Sequence, residues 1–166
     1  MLPIVLDPSV LRIGVAGAGD GLRRRLTLLT EAGIQPSAVF DGALPSRADI
    51  AALNVLFVAG LDEAASRNLA EQARAANVLI NVEDVPPLCD FHVPALVRRG
   101  DLLFTVSTGG RSPGLSRALR EDLERRFGPE WDERLAEIAG QRAAWRGEGL
   151  SPGEVSERTR ALIAAK

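Results

Sequence analysis

The chain has 166 residues, 46% of them hydrophobic and 25% charged, and its 20 Lys and Arg against 22 Asp and Glu give a formal net charge of −2. This balance predicts a globular protein with a real core and excludes a disordered tail, a collagen or a disulfide scaffold; with 4% aromatic residues it also argues against nucleic acid as a partner. No apolar run reaches the roughly 18 residues of a membrane helix, and Pro3, Asp7 and Pro8 interrupt the first apolar stretch, so we expect no membrane span, no signal peptide and a cytoplasmic protein.

The first half of the chain alternates short apolar stretches with segments of helical periodicity. Strands are predicted over residues 11–16, 37–40, 55–59 and 78–82, and helices over 22–32 and 62–76. Because strands alternate with helices and lack polar alternation, they predict a parallel sheet covered on both faces. The fold class is therefore α/β, with a small Rossmann-like parallel sheet.

The pattern changes after Asp84. Apolar runs over 91–97 and 102–107, separated by residues 98–101, predict a β-hairpin. Three helices follow, over 113–127, 130–146 and 152–165, and Ser112 and Pro113 suit the cap and first position of the first of these. We expect a Rossmann-like domain over 1–85, a hairpin-and-helix region over 86–128 and a short helical tail over 129–166.

A glycine loop lies between the first predicted strand and helix. Gly17 and Gly19, with Ala18 and Asp20, match the first two glycines of the G-x-G-x-x-G dinucleotide fingerprint, in which glycine lets a pyrophosphate approach backbone N–H groups. Leu22 stands where the third glycine belongs. The alternative is that these glycines only form a strand-to-helix turn.

Two carboxylates follow predicted strands. Asp41 ends the second strand, where a carboxylate accepts the ribose 2′-hydroxyl of NAD, although Asp41-Gly42 is also a common turn pair. Asp84 follows the fourth strand at the edge where parallel sheets bind ligands. There it could accept a proton or hold a divalent metal, or simply form a turn.

A second glycine loop opens the helix at residue 113, with arginines close by. Backbone N–H groups, a helix N-terminus and guanidinium groups suit a ligand with several carboxylates or phosphates, while a helix cap with solvated arginines explains the same residues. The candidate ligand-binding residues are Thr108, Gly109, Gly110, Arg111, Ser112 and Arg117. The single cysteine, Cys89, and the single histidine, His92, have no partners that suggest a nucleophilic pair or a cysteine-based zinc site, so we interpret both as structural.

Together and in order, these motifs resemble the precorrin-2 dehydrogenase and sirohydrochlorin ferrochelatase family, which includes the N-terminal module of siroheme synthase. The resemblance rests on residues 17–20, 81–84, 91–94 and 107–113. It implies NAD-dependent oxidation of precorrin-2 to sirohydrochlorin and, in some members, insertion of Fe²⁺ to make siroheme. It also implies a tetrapyrrole substrate and a homodimer with contacts through the central region.

By this resemblance Asp84 matches the aspartate used for dehydrogenation and, in bifunctional members, for chelation of the metal. Thr108 falls where some relatives have a serine that lines the active site. Residues 34–51 are fewer than the family usually has, since another helix and strand are missing there, which trims the wall around the adenosine half of the nucleotide site. We expect no uroporphyrinogen methylation, because no methyltransferase domain follows.

Two alternatives to the dehydrogenase stay open. One is a tetrapyrrole carrier whose shortened nucleotide site no longer works, and the other is a chelatase homologue without dehydrogenase activity. NAD binding would distinguish the dehydrogenase from both of these alternatives.

Overall fold

Four short apolar segments form a parallel sheet in the computed structural model, which describes residues 2–164. The strands are β1 (Ile13–Gly17), β2 (Ala38–Asp41), β3 (Val55–Ala59) and β4 (Leu79–Val82), in the order β2-β1-β3-β4. Three helices connect them: α1 (Gly19–Glu31), α2 (Arg47–Ala51) and α3 (Glu63–Ala75). Since β2 and β4 lie on opposite sides of the β1–β3 pair, the order reverses between β1 and β3, which opens a crevice at the carboxyl ends of these two strands.

The core lies on both faces of the sheet, as the unbroken apolar strands predict. Along β3, Val55 and Phe57 pack on the α1 side with Leu22 and Leu29, and the alternate residues belong to a second cluster on the other side. That second cluster contains Leu56, Val58, Ile50, Leu69, Ala70 and Ala73. Successive side chains of a strand point to opposite faces, so a strand buried on both must be apolar throughout.

Beyond β4 the predicted hairpin starts later than expected. Its strands are β5 (Ala95–Arg99) and β6 (Leu102–Val106), joined by a two-residue turn, so the prediction of strand over 91–94 and of a turn over 98–101 is wrong. The Phe91 ring instead packs against the Phe57 ring in a T-shaped pair with 5.5 Å between centroids, and the Phe91 carbonyl accepts a hydrogen bond from the Asn81 side chain. Pro94 has no N–H to donate to a ladder, and the hairpin begins after it.

Residues up to Val93 form one unit and residues from Pro94 onward form a second. The second unit contains the hairpin and the helices α4 (Pro113–Arg126), α5 (Trp131–Gly147) and α6 (Pro152–Ala164). The predicted last helical residue, Ala165, lies outside the described residues. Phe127 stacks on Phe104 at 4.3 Å and meets the Trp131 ring at 5.0 Å, yet no α4 or α5 side chain that the structure describes is fully buried.

The predicted α/β class, with its parallel sheet, hairpin and helical C-terminal region, is confirmed. Within residues 2–164 no helix combines the length and the apolar character needed to cross a membrane.

Because α1 approaches the sheet closely, we expect a Gly→Ala substitution to destabilise the protein at Gly21 but to stabilise it at an open helical position. A Cβ on Gly21 would lie 2.6 Å from the Gly60 nitrogen, whereas a Cβ on Gly140, in α5, would meet no atom within 4 Å. Gly140→Ala should raise the free energy of unfolding by roughly 0.5–1 kcal/mol, because alanine is the better helix former. Gly21→Ala should lower it by about 1–3 kcal/mol, because overpacking outweighs propensity. Denaturant unfolding of both variants checks this, and a stabilising Gly21→Ala would contradict the packing.

Candidate functional site

The loops that follow β1 and β3 touch backbone to backbone. The Ala18 N–H donates to the Ala59 carbonyl at 3.2 Å. A Cβ on Gly17 would collide with the Ala59 carbonyl oxygen, and one on Gly60, whose φ is +69°, would collide with the Ala18 carbonyl oxygen. Only glycine permits this approach at both positions.

Gly21 has the role that the third glycine has in the fingerprint, which is to let the helix pack closely. A Cβ there would also lie 2.8 Å from the Gly60 Cα, so the first turn of α1 rests on the loop after β3. Leu22, at the expected third position, is buried in the core instead. The fixed spacing of the fingerprint does not predict a role for Gly21; the signal for it in the sequence is the third glycine of the run Gly17-Ala18-Gly19-Asp20-Gly21.

The N-terminus of α1 has no side-chain cap. Its N-cap residue, Ala18, has an extended backbone and no side-chain oxygen. The next residue, Gly19 (φ +57°), borders open space, since a Cβ built on it would have no atom within 4 Å. The leading amides of a helix need acceptors, and a phosphate is a suitable one. Asp20 is exposed beside them and forms an ion pair with Arg23. The loop therefore fits the pyrophosphate of a dinucleotide.

Asp41 lies at the same edge of the sheet. It ends β2 in register with Gly17, is exposed, and is followed by Gly42, whose N–H donates to the Gly17 carbonyl at 2.9 Å. From there the chain passes through a loop directly to the five-residue α2, capped by a reciprocal pair of bonds between Ser46 and Asp49. The short connection expected after this strand is present.

Asp84 is exposed in a tight turn at the end of β4. The Glu83 N–H still continues the ladder to Val58 at 2.9 Å, and the Val85 N–H then reaches back to the Val82 carbonyl at 3.4 Å. Asp84 has φ +59°, a left-handed conformation that it shares, among the described non-glycine residues, with Asn77 alone. Such residues cluster at functional sites. The turn presents the Asp84 carboxylate at the carboxyl edge of the sheet.

Three charged side chains surround the base of this turn. Arg24 binds Glu83 through two contacts, Nη2 to Oε2 at 3.0 Å and Nε to Oε1 at 3.4 Å, and this hydrogen bond raises the pKa of Arg24. Arg25 is only 8% exposed, with its guanidinium carbon 4.9 Å from the Phe57 ring centre, and burial lowers its pKa. The aromatic face partly compensates the desolvated cation.

The second glycine loop lies in the second unit and is built as a cap. Thr108 organises it: its hydroxyl accepts from the Ser112 N–H at 3.2 Å and lies 3.1 Å from the Ser116 hydroxyl. Gly109 and Gly110 have φ of +63° and +77°, and the Ser112 hydroxyl caps the Leu115 N–H at 3.3 Å. The Gly110 Cα faces open space.

The nearby arginines differ in their partners. Arg117 forms an ion pair with Glu121 at 2.9 Å, and Arg120 is paired with Glu121 and Glu124. Arg111 is exposed in the loop and has no ion pair within residues 2–164. Of the two arginines predicted to bind an anion, Arg111 is therefore the one whose guanidinium is not already paired with a carboxylate of the described residues.

The structure thus groups the predicted residues into two sets. Gly17, Ala18, Gly19, Asp20, Asp41 and Asp84 share one edge of the first unit's sheet. Thr108, Gly109, Gly110, Arg111, Ser112 and Arg117 belong to the second unit. Across residues 2–164, no three His, Cys, Asp or Glu side chains converge as ligands for a metal ion.

Comparison with known proteins points in one direction. Residues 37–95 match a family described as putative NAD(P)-binding. A siroheme synthase from Thiobacillus denitrificans is 32% identical over 171 residues, covering 92% of this chain and 36% of the relative. One from Methylobacillus flagellatus is 34% identical, covering 84% of this chain and 34% of the relative. The chain therefore spans about a third of the length of these relatives.

A solved structure has the same fold. The precorrin-2 dehydrogenase SirC superposes with a TM-score of 0.75 at 18% identity, covering 98% of this chain and 89% of SirC. At that identity the match establishes the fold.

The backbone at Asp84 generates a prediction about stability. Alanine in a left-handed conformation is disfavoured by roughly 1–2 kcal/mol, whereas asparagine and aspartate adopt it more readily. Asp84→Ala should therefore lower the free energy of unfolding by about 1 kcal/mol. Asp84→Asn should stay within about 0.5 kcal/mol of the native protein. Asn77→Ala, at φ +58°, is the matched control and should behave like Asp84→Ala. Equal free energies of unfolding for Asp84→Ala and Asp84→Asn would show that the backbone of residue 84 is not in the left-handed conformation.

Proposed function

Because this chain belongs to the precorrin-2 dehydrogenase and sirohydrochlorin ferrochelatase family, which includes a module of siroheme synthase, we propose that it oxidises precorrin-2 to sirohydrochlorin with NAD⁺. One observation supports this most directly. The exposed carboxylate of Asp84 lies at the same sheet edge as an uncapped glycine loop that fits a dinucleotide.

The glycine loop is the proposed cofactor site. Gly17 and Gly19 let the pyrophosphate reach the amides at the start of α1, flanked by Ala18 and Asp20. Asp41 accepts hydrogen bonds from the ribose hydroxyls and repels a 2′-phosphate, which favours NAD over NADP. When bound, NAD⁺ supplies the chemistry of the reaction by taking up a hydride.

Asp84 is the proposed general base. Oxidation of precorrin-2 removes two hydrogens, one as a hydride and one as a proton, and the Asp84 carboxylate accepts that proton as conjugation extends around the macrocycle. Its exposure leaves the carboxylate open to a substrate at the carboxyl edge of the sheet.

In the second unit, the loop from Thr108 to Ser112 is proposed to bind carboxylates of the tetrapyrrole. Gly109 and Gly110 keep the backbone open, and Arg111 offers a free guanidinium. Arg117 contributes charge after exchanging its bond with Glu121.

Assembly and metal chemistry complete the proposal. We propose a cytoplasmic homodimer formed through residues 86–128, supported by Leu115 and Leu119 on α4, which are 50% and 44% exposed. Fe²⁺ insertion into sirohydrochlorin would use the Asp84 carboxylate to receive pyrrole protons. We propose three domains: residues 1–85 bind NAD, residues 86–128 form the dimer and bind the tetrapyrrole, and residues 129–166 are the C-terminal helical region.

The short connection after β2 favours one alternative, a tetrapyrrole carrier without dehydrogenase activity. Only α2, of five residues, stands between β2 and β3, which leaves little wall for an adenosine. Absence of NAD⁺ binding together with tetrapyrrole binding would select this carrier.

The variant Asp84→Asn tests the general base. It keeps the size and the left-handed backbone but removes basicity, so precorrin-2 turnover should fall by roughly two to four orders of magnitude. Tetrapyrrole binding should stay unchanged. Anaerobic turnover followed by the macrocycle spectrum measures the first, and fluorescence titration the second. Native turnover in folded Asp84→Asn would rule out the base.

The two exposed arginines should differ in their effect on tetrapyrrole binding. Losing a charge-assisted hydrogen bond costs roughly 1.5–3 kcal/mol, so Arg111→Ala should weaken binding about tenfold or more. Arg117→Ala should weaken it less, because Arg117 must first leave Glu121. Titration with sirohydrochlorin measures both, with melting temperatures as the control for folding. Normal binding by Arg111→Ala would place the macrocycle away from this loop.

A further inference from the structure

The turn that bears Asp84 is held from two sides by residues to which the proposed reaction gives no part. Its own closing bond, Val85 N–H to the Val82 carbonyl, is long at 3.4 Å, and Asp84 occupies a backbone conformation that side-chain-bearing residues disfavour. Such a turn keeps one geometry only when its surroundings fix it.

The first hold comes from α1. The Glu83 side chain lies across the first turn of this helix, where its Oε2 would be 2.9 Å from a Cβ on Gly21. Arg24 grips both carboxylate oxygens, and the Glu83 side chain is only 19% exposed. A two-point Arg–carboxylate contact fixes orientation as well as distance. The residue before Asp84 is therefore tied to the helix that starts at the glycine loop.

The second hold comes from Cys89. β4 is an edge strand, and the outward N–H of Val82 donates to the Cys89 Sγ at 3.3 Å while the thiol reaches the Val82 carbonyl at 3.1 Å. Sγ also lies 3.5 Å from the Val85 carbonyl, at the far end of the turn. One step back along the edge, Asp90 satisfies Ile80 in the same way through its N–H and carboxylate. The thiol thus takes the place of a neighbouring strand beside Asp84.

We propose that Arg24, Glu83 and Cys89 are positioning residues that keep the Asp84 carboxylate in register with the glycine loop. The proposal rests on the proposed function, because it assigns these residues to proton acceptance by Asp84. Displacing a reacting group by about 1 Å can cost two orders of magnitude in rate, so holds of this kind act on kcat.

Four variants and one control test the proposal in the full-length protein. Arg24→Gln and Glu83→Gln change the local charge in opposite directions, so an equal fall in kcat identifies the pair rather than a charge. Each, like Cys89→Ala, should lower kcat for precorrin-2 by about three- to thirtyfold. The KM for NAD⁺ should stay within about twofold in all three, because the glycine loop is intact. Cys89→Ser, which keeps a donor and an acceptor, should recover most of the rate.

The control is Arg67→Gln, which removes an ion pair of 2.7 Å with Glu63 inside α3 and should leave kcat unchanged. Amide hydrogen exchange supplies a readout that does not depend on turnover. The Val82 amide should exchange about three- to tenfold faster in Cys89→Ala, as expected for loss of one modest hydrogen bond, and at the native rate in Cys89→Ser.

Unchanged kcat in Arg24→Gln, Glu83→Gln and Cys89→Ala, with only their melting temperatures lowered, would overturn the positioning role. If the native protein does not oxidise precorrin-2, the proposed function fails by itself. Amide exchange then tests whether Cys89 holds the turn. If the Val82 amide exchanges at the native rate in Cys89→Ala, the proposal is overturned.

Discussion

The contact between the loop after β1 and the loop after β3 is the constraint on which the first unit depends. Gly17 and Gly60 let two backbones touch where side chains would collide, and Gly21 brings α1 onto the same point. At such a junction, a side chain would cost more free energy through overpacking than glycine costs through its loss of conformational entropy on folding. This explains why glycines occupy all three positions. The reversal of strand order at this point gives the crevice its place.

Charge and chemistry at the sheet edge follow from that packing. With α1 packed against the sheet, its leading amides lie beside β1 without a side-chain cap, and Arg24 comes within reach of Glu83 at the end of β4. The same helix buries Arg25 against Phe57, so the sheet face below the glycine loop carries a cation with little solvent around it. The placement of this one helix therefore determines both the glycine loop proposed to bind the pyrophosphate and the electrostatic surroundings of the Asp84 turn.

The sequence predicts what local pattern controls and misses what depends on distance. Unbroken apolar strands predicted a covered parallel sheet, and Ser112 with Pro113 predicted the start of α4, because propensity and capping act over a few residues. Gly21 falls outside the fixed fingerprint spacing; the local glycine run indicates it, but the contact with Gly60 that requires a glycine there is made by another loop and is not visible in the sequence. The hairpin was predicted too early, since the apolar character of Phe91 serves packing on Phe57 and not pairing. The ion pair between Arg117 and Glu121 follows from their spacing of four residues on a helix, a local pattern that the sequence contains.

We propose that hydride passes from a tetrapyrrole to a nicotinamide cofactor at the sheet edge that bears the glycine loop and Asp84. The most direct measurement is anaerobic incubation of the purified protein with precorrin-2 and either NAD⁺ or NADP⁺, recording the macrocycle spectrum and the reduced cofactor together. We expect sirohydrochlorin and NADH in equal amounts, with NAD⁺ supporting the faster reaction. Tetrapyrrole binding with no spectral conversion and no NADH would contradict it.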